Sequence, residues 1–310
     1  MISVNDGQVK KVAEVIKNIP EESRGLDFNT EMYPPLNNPD TIKFFFFVGT
    51  QNFGFWYGDK YGYVEPLIGV VDGKPAKGSD LLWKSARKAF ETNLALFFPQ
   101  ALAKISVAEF ATIFSDDNGP IPFPDIEARF QVARSYGEWF LRVGILPETI
   151  VSDANKESAP LKYFLKVTRQ IPGYKNDPFL KKNILLAMML ANRKEQFLKV
   201  SDPKNWQPIV DYHLMRVALR LGLVELDFNN SGRRWTSESN EKDIRAETYH
   251  AVEKLINLSG RSMSFVDEKL WMARRYCPEM EKPQCEKCIF DSICKKRIDL
   301  FQPIFRTTAY

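Results

Sequence analysis

The stretch "PIVDYHLMRVALRLGLVE", residues 208–225, sets Val210, Leu214, Val217, Leu221 and Val224 three and four positions apart. That spacing gathers apolar side chains on one face of an α-helix. One carboxylate, Asp211, stands at the start of the run. An aspartate there satisfies free amides and suits the helix dipole, so it reads equally as a cap or as a group held for chemistry.

Outward from this helix the pattern repeats. The opening "DGQVKKVAEVIKNI" is helical in period, and from Ser79 onward "SDLLWKSARKAFETNLALFF", "SVAEFATIFS", "DIEARFQVARSYGEWFLRVG", "APLKYFLKVTRQI", "DPFLKKNILLAMMLANRKEQFLK", "DIRAETYHAVEKLINLSG" and "SFVDEKLWMARRY" all space their apolar residues by three and four. Between them, 225–245 reads as a polar loop. Ahead of Ser79 a Pro-rich passage leads into "IKFFFFVGTQNFGFWYG", residues 42–58, with eight aromatic residues in seventeen. Aromatic runs broken by Gly suit buried strands, with a turn at Gly49, Thr50 and Gln51, and strands are expected to continue through "YGYVEPLIGVVDGKPA". The expected class is mainly α, with a small β element near the N-terminus.

A chain of 310 residues can bury a large core. The longest apolar run, "ILLAMMLA" at 184–191, falls short of the roughly 18 to 20 residues that a membrane span needs. No secretory signal is evident at the N-terminus, so a cytoplasmic location is expected. Forty-three basic against thirty-nine acidic residues leave a net charge of +4. That balance permits nucleic-acid binding without requiring it.

All four cysteines, Cys277, Cys285, Cys288 and Cys294, lie in eighteen residues with the spacing C-x7-C-x2-C-x5-C. In a reducing compartment the readings are a metal site or incidental buried thiols. Structural zinc usually recruits two close pairs, whereas one Cys-x2-Cys flanked by single cysteines suits a compact iron–sulfur cluster better. With "ARRYCP" before it and "PQCEKCIFDSICKKR" within it, the loop resembles the cluster loop of endonuclease III and related adenine glycosylases, which have six residues in the first gap where this chain has seven. The resemblance implies a structural 4Fe-4S cluster, with zinc as the alternative.

"VDYHLMRVALRLGLV" likewise resembles the V-D-x-H-x-x-R-x-x-x-R-L-G-L segment of the helix-hairpin-helix glycosylase superfamily, and so implies that fold for the helical part. On that resemblance Asp211 is the catalytic carboxylate, with Tyr212 and His213 beside the substrate. The residue type suits the chemistry, because a carboxylate can stabilise the oxocarbenium-like state of base–sugar cleavage or activate water. In "DPFLKKNILLA", Asp177 and Pro178 read as cap and first turn. Lys181 and Lys182 then lie near a helix N-terminus, where the dipole disfavours cations.

Further matches point to one branch of that superfamily. "QNFGFWYG" resembles the N-F-x-F-W motif of the queuosine-salvage family, nucleotide N-glycosidases that free the base queuine. "GSDLLWKSARKAFE", "PIPFPDIEARFQVAR", "PFLKKNILLA", "DYHL" and "VDEKLWMARR" follow in that family's order. The resemblance implies that Lys182 is catalytic, that Asn52, Phe53, Phe55 and Trp56 line the base pocket, and that Glu127 and Arg129 brace or contact the ligand. From the residues alone, Glu127 and Arg129 read as a buried salt bridge and Lys181 and Lys182 as solvated. The glycine-rich, phosphate-gripping hairpin of DNA-repair relatives is reduced in "IPGYKNDPFLKK" to Gly173, which favours a small substrate over duplex DNA.

The expected organisation is 1–78, an N-terminal helix and small β element; 79–276, a helical catalytic region; and 277–310, a cluster loop and tail. The expected activity is base release from a modified, 7-deazaguanine-type nucleoside 5′-phosphate. The alternatives are a DNA base-excision glycosylase and a non-enzymatic iron–sulfur module that binds nucleic acid. Nothing in the sequence fixes the oligomeric state.

Overall fold

The computed structural model describes residues 2–20, 26–59, 62–226, 238–279, 281–300 and 307–310. Its chain folds into two compact units: Met1–Leu26 with Gly58–Tyr63 and Gln207–Phe305, and Asp27–Tyr57 with Val64–Trp206 and Arg306–Tyr310. Among the described residues the structure is mainly helical with short two-stranded β pairs, as expected. No described helix is long and apolar enough to cross a membrane.

The unit that contains residues 64–206 is organised around the run of four phenylalanines. Here the structure overturns the expected strand pair: Thr41–Thr50 is an α-helix, and the extended backbone begins only at Trp56. Phe44, Phe45, Phe46 and Phe47 are all fully buried. They leave the helix axis in different directions. Phe44 meets Phe90 edge-on at 5.2 Å, Phe45 meets Trp83 at 6.1 Å, Phe46 meets Phe164 at 5.8 Å, and Phe47 meets Tyr136 at 5.9 Å. A helix covered on every side shows neither the two-residue nor the 3.6-residue alternation, so hydrophobic pattern alone cannot tell it from a buried strand. The helix Lys181–Asn192 packs against it.

Strands do occupy part of the following segment. Ile68–Val71 and Lys74–Lys77 pair antiparallel with Val71 opposite Lys74, through Asp72 and Gly73 at φ 53° and 68°. An Asp-Gly pair with both φ positive is the turn whose twist matches a two-residue hairpin.

In the other unit, the helix Asp6–Lys17 lies along the long helix Glu238–Ser259. Ile2–Val4 pairs antiparallel with Val224–Leu226, Ser3 opposite Glu225. The helices Tyr212–Leu221 and Met263–Ala273 complete the helical layer. Gln8 is buried, and its amide donates to Leu221 O at 2.8 Å and Ile293 O at 2.7 Å, tying the N-terminal helix to the cysteine region.

The polar passage expected as a loop over 225–245 is corrected at both ends. Val224–Leu226 is a strand and Glu238 begins a helix, while 227–237 lie outside the described residues. The apolar stripe of that helix starts only at Ile244 and continues through Ala251, Val252 and Leu255, all buried. Its first turns therefore carry no periodic signal to read.

Candidate functional site

The loop that follows the phenylalanine helix gathers three basic side chains, Arg129, Lys181 and Lys182. Gly49 and Gly173 make room for it. A Cβ on Gly49 would stand 2.5 Å from the Tyr174 hydroxyl, and one on Gly173, at φ +89°, would stand 2.6 Å from Thr50 Cβ. Tyr174 donates to Phe46 O at 2.7 Å and so locks this approach. The glycine singled out as the remnant of a phosphate-gripping hairpin thus serves here to let a turn pack on Thr50.

Arg129, from the helix Ile126–Val143, is fully buried under the loop. Its guanidinium donates to Gln51 O at 2.5 Å, to Phe53 O, and to Gly54 O at 3.1 Å. It lies 4.3 Å from the Phe53 ring centroid and 4.1 Å from that of Phe123. Burial pulls its pKa down to about 9, against which Asp125 acts. It remains a cation at neutral pH. Gln51 donates back to Arg129 O at 3.3 Å, and its Oε1 is buried without a hydrogen-bond partner among the described residues.

Glu127 does not join this arrangement. It is exposed and accepts from Gln131 at 2.7 Å, so the expected buried pairing of Glu127 with Arg129 does not form. Two residues apart on a helix, their side chains leave on different faces. Asp125, beside Arg129, went unnoticed in the sequence because it reads as a helix cap.

Lys181 and Lys182 open the helix Lys181–Asn192 and are buried rather than solvated, Lys182 to 1% exposure. The expected cap and first turn at Asp177 and Pro178 are corrected: the helix begins at Lys181 with Leu180 at the cap position, and Asp177 lies ahead of it, accepting from Phe179 N at 3.0 Å and Lys181 N at 2.7 Å. Leu180 precedes the helix at φ 55°, the left-handed region that leucine rarely adopts. Lys182 Nζ donates to Thr50 O at 2.8 Å and Thr308 O at 2.7 Å, while Lys181 Nζ reaches Asn52 O at 3.4 Å. Burial drives the Lys182 pKa well below the usual lysine range, and the charges of Lys181 and Arg129 act in the same direction against Asp177. No sequence signal announces the Thr308 carbonyl.

Asn52, Phe53, Phe55 and Trp56 sit in this same loop, all buried. Side chains already cover their rings: Arg129 and Lys182 lie 4.3 and 5.1 Å from Phe53, and Lys77 lies 4.5 Å from Trp56.

In the other unit, Asp211 is the N-cap of the helix Tyr212–Leu221, with Oδ1 accepting from Leu214 N at 3.0 Å. A carboxylate accepts about four hydrogen bonds, so capping and a second role are compatible. Tyr212 is buried and its ring lies 4.1 Å from that of His213, whose pKa is lowered by burial. One face of this helix is bound to the cysteine region. Arg220 donates to Cys277 Sγ at 3.4 Å and Pro278 O at 2.7 Å, and Arg216 donates to Cys277 O at 3.2 Å.

Cys277, Cys285, Cys288 and Cys294 line one cavity of about 40 Å3, walled by Val217, Leu221, Ala273 and Phe290. Lys296 N donates to Cys294 Sγ at 3.3 Å. Burial raises the Cys288 and Cys294 thiols, and the other cysteines of the group reinforce it. Among the described residues, no three His, Cys, Asp or Glu side chains converge on a point that one metal ion could occupy.

The profile of the queuosine salvage protein family matches residues 32–188, just over half of the chain. The chain belongs to that family. The matched segment holds the phenylalanine helix, the Thr50–Trp56 loop, Arg129 and Lys182, and ends before Asp211 and the cysteines. No curated protein matches the chain. A solved structure of a trapped endonuclease III–DNA covalent intermediate, in an estranged-adenine complex, is similar with TM-score 0.50 at 13% identity, covering 95% of this chain and 97% of that one. At such identity the likeness concerns the fold, which is that of endonuclease III.

Proposed function

We propose that this member of the queuosine salvage protein family is an N-glycosidase that hydrolyses the base–sugar bond of a modified, 7-deazaguanine-type nucleoside 5′-phosphate. The observation that carries the reading is Lys182. It is a buried lysine at the head of a helix, bound to the backbone of the Thr50–Gly54 loop, inside the segment that the family profile matches. Sequestering a lysine and an arginine beneath one loop is costly, and such cost is characteristic of functional sites.

In the reaction the bond between the base nitrogen and C1′ breaks, water supplies the hydroxyl to C1′, and its proton goes to the departing base. Asp211 is the carboxylate for the positive charge that develops on the sugar. Lys182 is a second candidate catalytic group, with Asn52 and Arg129 near it as candidate binding residues, and Tyr212 and His213 are the candidates that follow Asp211. Cys277, Cys285, Cys288 and Cys294 would hold a 4Fe-4S cluster, which when bound supplies a cross-link rather than chemistry. The shared cavity and the N–H donors to sulfur support this.

The test is base release. Purified protein should liberate the base from a 7-deazaguanine nucleoside 5′-phosphate. Asp211→Asn should keep the fold, because asparagine caps a helix as well as aspartate, while turnover is lost. Excision from lesion-bearing oligonucleotides with none from nucleotides would assign the chain to DNA repair. Full activity in Asp211→Asn would return Asp211 to capping alone.

A further inference from the structure

Lys182 takes its second hydrogen-bond acceptor from a segment that the family profile does not reach. Its Nζ donates to Thr50 O at 2.8 Å and to Thr308 O at 2.7 Å, and Thr308 stands 126 positions further along the chain, beyond residue 188 where the match ends. The backbone at Thr308 is held locally. Ala309 N donates to the Thr307 hydroxyl at 3.1 Å, and Ala309 and Tyr310 are both buried. Thr307–Tyr310 belong to the compact unit that holds Lys182, although the cysteine region that precedes them in sequence belongs to the other. The first acceptor is held as well, because Arg129 grips the carbonyls of Gln51, Phe53 and Gly54 just after Thr50.

We propose that Thr307–Tyr310 is a strap that completes the Lys182 site: the Thr308 carbonyl, together with that of Thr50, fixes where Nζ stands, and the strap keeps solvent from it. A lysine amino group sits at the end of a flexible four-carbon stem, so only what it touches holds it in place. Two carbonyls from separate segments define its position, and one alone leaves it free to swing. Buried N–H groups need acceptors, which couples the strap to the lysine. Without Thr308 O, Nζ must take water in its place, and water there also relieves the desolvation that drives the Lys182 pKa down. The strap acts through Lys182 and has no need to touch the substrate. Its effect on turnover rests on the glycosidase reading, whereas its cover of Lys182 does not.

Acetylation by acetic anhydride at mildly alkaline pH, located by peptide mass spectrometry, reads the cover directly. In the unmodified protein Lys182 should be acetylated at least about tenfold more slowly than Lys166, which is exposed. Equal rates overturn the proposal without any variant. Deleting Thr307–Tyr310 should bring the two rates together and lower kcat for base release by on the order of tenfold, with KM moved less than about twofold. Circular dichroism and thermal unfolding show whether the deletion variant folds. Thr307→Val is the milder probe, since it removes the acceptor for Ala309 N at nearly constant volume. It should raise Lys182 acetylation and lower kcat by roughly threefold, and Thr307→Ser should restore most of both. Lys182 equally protected in the folded deletion variant, or in Thr307→Val where the deletion does not fold, sinks the strap. So does an exposed Lys182 with kcat unchanged or raised, and a raised kcat would mark the segment as an inhibitory cover. If Asp211→Asn abolishes turnover in the same assay, the glycosidase reading stands and the kcat result counts; if Asp211→Asn turns over normally, that reading fails and acetylation alone decides.

Discussion

Replacing Arg129 with methionine removes the peg that holds the Thr50–Gly54 loop. The guanidinium supplies donors to the carbonyls of Gln51, Phe53 and Gly54 inside the fold. Each buried acceptor left unpaired costs about 1–3 kcal/mol. Removing the cation recovers some of its desolvation penalty, so the net loss should approach the ~3–5 kcal/mol found when one partner of a buried ionic group is deleted. At roughly 2–4 °C per kcal/mol for a protein of this size, thermal unfolding should come about 6–20 °C earlier. Methionine roughly keeps the volume between the Phe53 and Phe123 rings, so lost packing contributes little. Arg129→Lys should fall between, because a single ammonium cannot span three carbonyls as the planar fork does. Calorimetry and urea titration read the stability, and base release reads the loop. A methionine variant within about 1 kcal/mol of the parent, with nucleotide KM unchanged, would mean that the loop is shaped without Arg129.

Three further outcomes follow from the same structure. Protein purified without oxygen should be brown with about four irons per chain, and stoichiometric zinc without iron would refute the cluster. Lys182 has a folded pKa below its unfolded value, so between the two the unfolded chain binds more protons; stability should rise with pH through that window and level off above about 10.5. In Lys182→Met that rise should flatten, and parallel stability curves from pH 7 to 10 would show that Lys182 is charged when folded. Nucleotide affinity should fall only gently with salt, whereas a slope several units negative on logarithmic axes would indicate several neutralised phosphates and a duplex substrate.

The helical part of the fold was legible because its helices are amphipathic. The run at 208–225 announces its buried face and its aspartate start, and the structure has both, although the helix ends at Leu221 and Val224, expected on the same face, begins a strand. The phenylalanine helix was not legible as a helix. What decides Phe44 to Phe47 is the presence of Phe90, Trp83, Phe164 and Tyr136 on different sides, residues 38 to 118 positions away from the ring each one meets, and no local pattern encodes partners so distant.

The candidate site divides along the same line. Asp177 is a local signal, a short side chain reaching amides two and four residues on, and its bonding to nearby amides could be read although the helix begins four residues later than it suggests. Lys182 and Arg129 are different in kind, since a lysine and an arginine near helix starts look solvated until the loop that buries them is known. Their partners are backbone carbonyls of Thr50, Gln51, Phe53, Gly54 and Thr308, and a carbonyl belongs to every residue, so sequence cannot mark it.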